Sequence, residues 1–144
     1  MTILQLKKVN EKTLKEMREL LAQLSPTLSL SHERLAQTIE NSQSAVFVAK
    51  DKGKIVGTAT MLFCHSLSGG LHGFVEDVVV DEKVRGKGIG KALMEKLIAL
   101  AKKRGVHHIN LTSRPEREAA NHLYQALGFK KRKTNMYRLK IVLH

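Results

Sequence analysis

Apolar positions change period several times along the chain, and each change marks an element. Thr2–Val9 (TILQLKKV) alternates as a strand does. Asn10 is a suitable helix N-cap, and Leu14, Met17, Leu20, Leu21 and Leu24 then recur at helical spacing until Pro26 stops them. Ser31 opens a second, shorter helix with Leu35 and Ile39 on one face, and SPTLSL between the two reads as a loop. Ala45–Lys50 and Ile55–Phe63 have strand character and are joined by DKGK, in which Asp51 and Gly53 bring hairpin turn chemistry. After the turn LSGG comes a strongly β-branched strand, Gly73–Val80. From Ile89 the residues Leu93, Leu97, Leu100 and Ala101 recur every three or four positions, and Met94 and Ile98 broaden that face, so a helix packing on a sheet is predicted. Lys102, Lys103, Arg104 and Gly105 close it. His107–Ser113 is a further strand, and Pro115 is expected to begin a helix with Ala120, Leu123, Tyr124 and Leu127 buried and Gly128 at its end. Asn135–Leu143 (NMYRLKIVL) is expected as a closing strand. The order describes one mixed α/β sheet covered by helices.

Length and charge narrow this picture. A chain of 144 residues suits a single domain, 1–144, with one core. Lysine plus arginine number 25 against 13 acidic residues, a formal net charge of +12 that suits an anionic ligand, nucleic acid or acidic partner, or serves solubility alone. Only 4% of residues are aromatic, which leaves few stacking platforms and disfavours nucleic acid as the partner. Cys64, the single cysteine, excludes an internal disulfide and reads as a small buried thiol in an apolar run. His107 and His108 are adjacent on a strand and point to opposite faces, while His65 and His72 flank a turn, so no metal site is expected. There is no signal-peptide core and no run of about 18 apolar residues. The expectation is a soluble, cytoplasmic protein with no membrane partner.

The segment VRGKGIGKAL, Val84–Leu93, carries chemistry. A helix N-terminus presents unpaired N–H donors and partial positive charge, and here glycines at 86, 88 and 90 bare the backbone between Arg85 and Lys91. The nucleoside triphosphate loop needs G-x-x-x-x-G-K-[ST], but the spacing here is one residue short and Ala92 replaces the metal-binding hydroxyl. The dinucleotide fingerprint needs G-x-G-x-x-G and fails as well. What stays is R-x-x-G-x-G, followed about 30 residues later by A-x-x-x-Y-x-x-x-G-F on a helix.

With these motifs the chain resembles the GNAT superfamily of acetyl-CoA-dependent N-acetyltransferases, most strongly from FVEDVVVDEKVRGKGIGKALM to HLYQALGF. The resemblance implies an α/β (α+β) fold: a mixed, mostly antiparallel sheet of six to seven strands flanked by about four helices. It implies acetyl-CoA as cosubstrate, with backbone groups of Val78, Val79 and Val80 toward the acetyl-pantetheine arm and Arg85, Gly86, Lys87, Gly88, Ile89, Gly90 and Lys91 around the pyrophosphate. A bulge near Val78 and Val79, freeing amides for the acetyl oxygen, is implied in the same way. Many members carry an asparagine seven residues before the family tyrosine; Arg117 stands there in this chain, and the candidates left are Asn121, one helical turn nearer Tyr124, as the substitute for binding the arm, and Arg117 itself, which could instead meet a coenzyme A phosphate. The acceptor-determining segments would be Leu24–Leu35 and His65–His72, and GFVEDVVV also looks like the matching strand of glucosamine-6-phosphate N-acetyltransferases.

Acyl transfer to an amine needs a deprotonated nitrogen, help for developing negative charge and a donor to the departing thiolate. Glu76 is the candidate base, or alternatively a carboxylate that holds a cationic amine. Tyr124 matches the family's general acid and also lies on the apolar stripe of its helix. The implied activity is direct transfer from acetyl-CoA to a primary amine of a small molecule or peptide in a ternary complex. The alternative is a non-catalytic acetyl-CoA sensor on the same fold. A homodimer is a further expectation.

Overall fold

The structure is a computed structural model that describes residues 1–142 and forms two compact units, Met1–Thr112 and a second that begins at Ser113. The larger unit contains β1 (Thr2–Gln5), α1 (Glu11–Leu24), α2 (His32–Glu40), β2 (Ser44–Asp51), β3 (Lys54–Ser66), β4 (Gly70–Val80), a single 3₁₀ turn (Glu82–Val84), α3 (Ile89–Lys103) and β5 (Ile109–Leu111). The smaller unit contains α4 (Glu118–Ala126). The strands form one sheet in the order β1-β2-β3-β4-β5, antiparallel except for the parallel pair β4 and β5.

Local chemistry explains the element ends. The Asn10 carboxamide accepts the Thr13 N–H and the Ser31 hydroxyl accepts the Arg34 N–H, so α1 and α2 begin where expected. The turn between β2 and β3 has Lys52 and Gly53 at φ values of 51° and 79°, the left-handed pair of a tight hairpin. At the end of α3 the Val106 N–H donates to the Ala101 carbonyl and the Gly105 N–H to Lys102, a Schellman closure.

Two cores sit on the two faces of the sheet. On one, Leu14, Met17, Leu20 and Leu21 of α1 and Leu35 of α2 pack with Val46, Val48 and Val79. On the other lies α3, whose Leu93, Met94 and Leu97 have no solvent exposure. Gly57 lets α3 approach: a Cβ there would stand 3.1 Å from Ile89 Cγ2 and from Leu93 Cδ1.

The register of β4 on β3 contains a bulge. Thr60 pairs with Glu76 but Thr58 pairs with Val79, so Asp77 and Val78 together oppose Ala59. Asp77 takes φ 54°, unusual for a residue with a side chain. The extra residue reverses the alternation, so Val75, opposite Met61, and Val79, in the α1 cluster, are both 3% exposed although they lie four apart along a strand whose two cores are on opposite faces.

The structure corrects several expectations. There are five strands among the described residues rather than six or seven, and β1 and β5 are shorter than the apolar patterns. Pro115 does not begin α4; it occupies the second position of a turn closed by the Arg117 N–H to Arg114 carbonyl bond of 3.1 Å, and the helix starts at Glu118. Asn135–Val142 form no strand and are exposed, while Leu143 lies outside the described residues. Cys64 is half-buried, since it lies toward the far end of the long β3–β4 hairpin.

The bulge predicts a substitution series at Asp77. Asp77→Gly should leave stability nearly unchanged, and Asp77→Val should cost about 1–3 kcal/mol because a β-branched side chain is strained at that backbone angle. Urea denaturation checks this; an unchanged midpoint for the valine variant would show that β4 pairs without the left-handed residue.

Candidate functional site

The site begins where β4 leaves the sheet. The Asp81 N–H still bonds the Val56 carbonyl at 2.8 Å, and beyond it the chain turns into the 3₁₀ segment. Asp81 caps that turn by accepting the Lys83 N–H at 3.1 Å, which is the main reason its carboxyl lies below the usual carboxylate range; Gln23 and the Lys83 and Lys54 ammonium groups lower it further, against an opposing effect of burial. Gln23 of α1 accepts the Glu82 N–H at 3.0 Å and donates to Asp81 at 3.4 Å, which ties α1 to this loop. Glu16, Glu19, Gln23, Lys54, Asp81 and Lys83 line a small polar hollow beside it.

Next comes the glycine segment. Gly86 and Gly88 take φ values of 83° and 79°, and a Cβ at either would meet nothing within 4 Å, so the surface over both is open. Gly88 is the N-cap of α3 and makes no side-chain cap, and the first turn of α3 carries no acid. In contrast α1 has Asn10 and Glu11 in these roles, and α2 has Ser31 and Glu33. The N–H groups of Ile89, Gly90 and Lys91, which have no intrahelical acceptor by construction, therefore face the open side with the helix dipole uncompensated by an acidic side chain. The Arg85 Nε donates to the Val80 carbonyl at 3.0 Å, which fixes the start of the loop. Arg85, Lys87 and Lys91 are exposed cations around this helix start, and Lys91 lies 3.9 Å from Glu95. Ile89 enters the core at 5% exposure, so it anchors the loop with its side chain and offers only backbone outward.

On β4, Glu76 is exposed opposite Thr60 at the edge of the bulge, Val78 and Val80 are half-buried and Val79 is buried. Asp77 has its carboxyl pushed above the usual range by partial burial. The structure thus brings Glu76, Val78, Val79, Val80 and the whole of Arg85–Lys91 into one continuous strand, loop and helix start within the larger unit. His72 and His108 stack at 5.0 Å beside the β3–β4 turn, and among the described residues no group of three histidine, cysteine or acidic side chains is placed to hold a metal ion.

Tyr124 and Asn121 belong to the smaller unit. A second Schellman closure, from the Phe129 N–H to the Tyr124 carbonyl and from Gly128 to Gln125, ends α4 and folds Phe129 onto Tyr124 with their rings edge to face at 6.1 Å. Tyr124 is 5% exposed; burial raises its phenol above the ordinary value, and the Arg117 charge opposes that rise. The Asn121 amide donates to the Arg114 carbonyl at 3.0 Å and to Pro115 at 3.4 Å, so it holds the turn before α4. The Ser113 hydroxyl oxygen is buried without a hydrogen-bond partner among the described residues. Neither Ser113 nor Gln23 carries a signal in the sequence: one reads as the end of a strand and the other as the polar side of an amphipathic helix.

Comparison with known proteins agrees with this arrangement. The profile of the "Acetyltransferase (GNAT) family" matches residues 14–129. The glucosamine 6-phosphate N-acetyltransferase of Trypanosoma brucei brucei is 32% identical over 140 residues, which cover 92% of this chain and 93% of that protein. A Trypanosoma brucei acetyltransferase structure superposes with a TM-score of 0.78 at 29% identity, covering 97% of this chain and 99% of the other. The glucosamine-6-phosphate N-acetyltransferase of Arabidopsis thaliana gives 0.78 at 26% identity over 96% and 99%. With a profile that spans most of its length and a relative that aligns nearly end to end, this chain belongs to the GNAT family of acetyltransferases and is an acyltransferase.

Proposed function

We propose that this protein is one N-acetyltransferase domain, 1–144, that transfers acetyl from acetyl-CoA directly to a primary amine in a ternary complex. The observation that carries the reading is the open glycine cradle at the start of α3, where two left-handed glycines, an uncapped helix N-terminus and three exposed cations converge. That donor set fits a pyrophosphate: backbone N–H groups approach without side-chain obstruction and charge is complementary. When bound, acetyl-CoA supplies an acyl group activated as a thioester. The chain's own residues do the rest. Arg85, Gly86, Lys87, Gly88, Gly90 and Lys91 hold the diphosphate with the N–H of Ile89, and backbone groups of Val78, Val79 and Val80 position the arm, their amides opposing charge that develops on the acetyl oxygen. Asn121 is assigned to the arm through its carboxamide oxygen, its amide being engaged by the turn.

Glu76 receives the proton of the amine, directly or through one water, or holds the ammonium form before reaction. Tyr124 donates to the sulfur as it departs. Its buried phenol stays protonated across the working range, as a donor must. The acceptor class best supported is a small amine that also carries an anion, an amino-sugar phosphate first, because two relatives are named for glucosamine 6-phosphate and the chain carries a net charge of +12. The location assigned to the enzyme is the cytoplasm; no helix among the described residues is long and apolar enough to cross a membrane.

Two predictions separate binding from chemistry. Gly88→Val should weaken coenzyme A association at least tenfold by calorimetry, and wild-type association should weaken as salt rises; undiminished binding by the valine variant would remove the cradle from the reading. Tyr124→Phe should keep coenzyme affinity but lower turnover on glucosamine 6-phosphate and other amines about 10²–10⁴-fold, the usual contribution of a general acid. In the wild type the alkaline fall in rate due to this phenol should lie above pH 10.0, because burial raises it, and should vanish in the variant. Turnover equal to wild type would exclude Tyr124 as the acid. Coenzyme binding with no thiol release on any amine would favour the sensor instead.

A further inference from the structure

The rings of His72 and His108 lie 5.0 Å apart with only 5° between their planes, and the proposed acyl transfer uses neither. The surrounding chain builds this pair. The His107 N–H donates to the Leu71 carbonyl and the Gly73 N–H to the His108 carbonyl, both at 2.9 Å, which fixes His108 beside β4. The His72 Nδ1 lies 3.1 Å from the Gly70 carbonyl; a carbonyl only accepts, so Nδ1 carries the hydrogen and Nε2 is the nitrogen that meets a ligand. Gly69 brings the turn against both rings: a Cβ there would stand 3.1 Å from His108 Cε1, 3.5 Å from His72 Nδ1 and 2.9 Å from the Ser66 Oγ that accepts the Gly69 N–H. Rings stacked in parallel at that spacing do not aim two nitrogens at one metal ion, and among the described residues no third ligand joins them.

Strand register connects the pair to the candidate base. Residues directly opposite across two strands share a face of the sheet, and alternate residues along one strand return to it. Cys64 opposes His72, Leu62 opposes Phe74 and Thr60 opposes Glu76, so His72, Phe74 and Glu76 line one face. Asn110, beside Phe74 on β5, shares that face with His108, because Ile109 between them lies on the other: a Cβ on Gly73 would stand 3.4 Å from Ile109 Cγ1. The strip they form is open, with His72, Phe74 and Asn110 half-buried and His108 and Glu76 exposed. Its polarity is divided. A carboxylate stands at one end and two imidazoles at the other, and Leu62, Cys64, Phe74 and Asn110 between them carry no charge. Four residues of strand separate Glu76 from His72, about 13 Å at the usual rise.

We propose that His72 and His108 bind the phosphate of an acceptor that carries its amine at the opposite end, the amine lying at Glu76 and the body of the molecule over Phe74 and Asn110. The inference rests on the acetyl-transfer reading and adds to it the residues that select the acceptor. Length supports the class. A hydrogen bond at each end takes up about 3 Å, which leaves about 7 Å between nitrogen and phosphate, the reach of one six-membered ring with an exocyclic carbon. Charge supports it too, since a dianion at the ring edges offsets the repulsion that two charged imidazoles 5.0 Å apart would feel. Asn110 offers a carboxamide to ring hydroxyls, and Phe74 offers an apolar surface to the carbon skeleton.

Steady-state kinetics on the full chain test this by comparing glucosamine 6-phosphate with glucosamine, which lacks only the phosphate. Wild type should favour the phosphate ester in kcat/KM. The double variant His72→Ala, His108→Ala should lower that preference about tenfold or more, chiefly through KM for the ester, because charge-assisted hydrogen bonds are lost. Its KM for acetyl-CoA should stay within about twofold of wild type, which a misfolded chain would not show. The variant His72→Gln, His108→Gln keeps polar side chains at both positions and should lose the preference in the same way. A wild type without the preference, a preference that survives in both variants, or equal losses on the two amines in both variants overturns the proposal and leaves the acetyl-transfer reading standing. No thiol release by wild type with any amine overturns that reading and this inference together.

Discussion

Opposite Ala59, β4 places two residues where β3 places one, and both faces of the sheet depend on that mismatch. Without it, Val75 and Val79 would fall on one face and either the α3 side or the α1 side would lose a buried valine. With it, each core receives one, worth about 1.5–3 kcal/mol per buried side chain against about 1–3 kcal/mol for holding Asp77 left-handed. The gain and the strain are of one size, so the bulge is tolerated by packing rather than imposed by it. A strand that bends here also sends its last residues away from a regular ladder and into the loop before α3.

That loop leaves the start of α3 bare, and the helix survives because its stability comes from elsewhere. An N-cap side chain would contribute about 1 kcal/mol, and α3 forgoes it. Leu93, Met94 and Leu97, all fully buried, contribute several times that amount, and the far end is closed by Gly105 and by Arg104, which lies 4.2 Å over the Phe63 ring and donates to the Ser42 carbonyl at 3.1 Å. A helix pinned along its length and at its C-terminus can present an unsatisfied N-terminus without fraying. Gln23 adds a restraint from the other side of the sheet, since its amide fixes both the Glu82 backbone and the Asp81 carboxyl.

Much of this was legible in the residues. Period and capping chemistry located α1, α2, α3 and the β2–β3 hairpin to within a residue or two, because Asn10, Ser31, Gly53 and Gly105 act locally. The glycine loop was legible for the same reason. The bulge was implied by resemblance alone, because register is a property of two strands and Asp77 has no local signal that separates it from Glu76. Pro115 misled because proline suits both a helix start and the second position of a turn, and the Arg117 N–H to Arg114 bond selects the turn. The apolar alternation of Asn135–Val142 predicts a closing strand that the structure does not contain, because pattern reports what a segment can pair as and not where its partner is. Among the described residues no strand pairs with Asn135–Val142.

The raised phenol of Tyr124 constrains the proposed chemistry more than the assignment of a role does. A thiol has a pKa of about 8.5 and an unperturbed phenol about 10, so complete proton transfer to a fully formed thiolate is uphill by about 2 kcal/mol even before burial raises the phenol further. Burial therefore weakens Tyr124 as an acid in the strict sense. It suits Tyr124 to the donor role proposed for it, because a neutral phenol held in place by Phe129 and the α4 closure would give a charge-assisted hydrogen bond to sulfur as charge accumulates there. On this reading the proton moves late, after C–S cleavage is well advanced, and the thiol is released neutral while the phenolate is repaid from solvent.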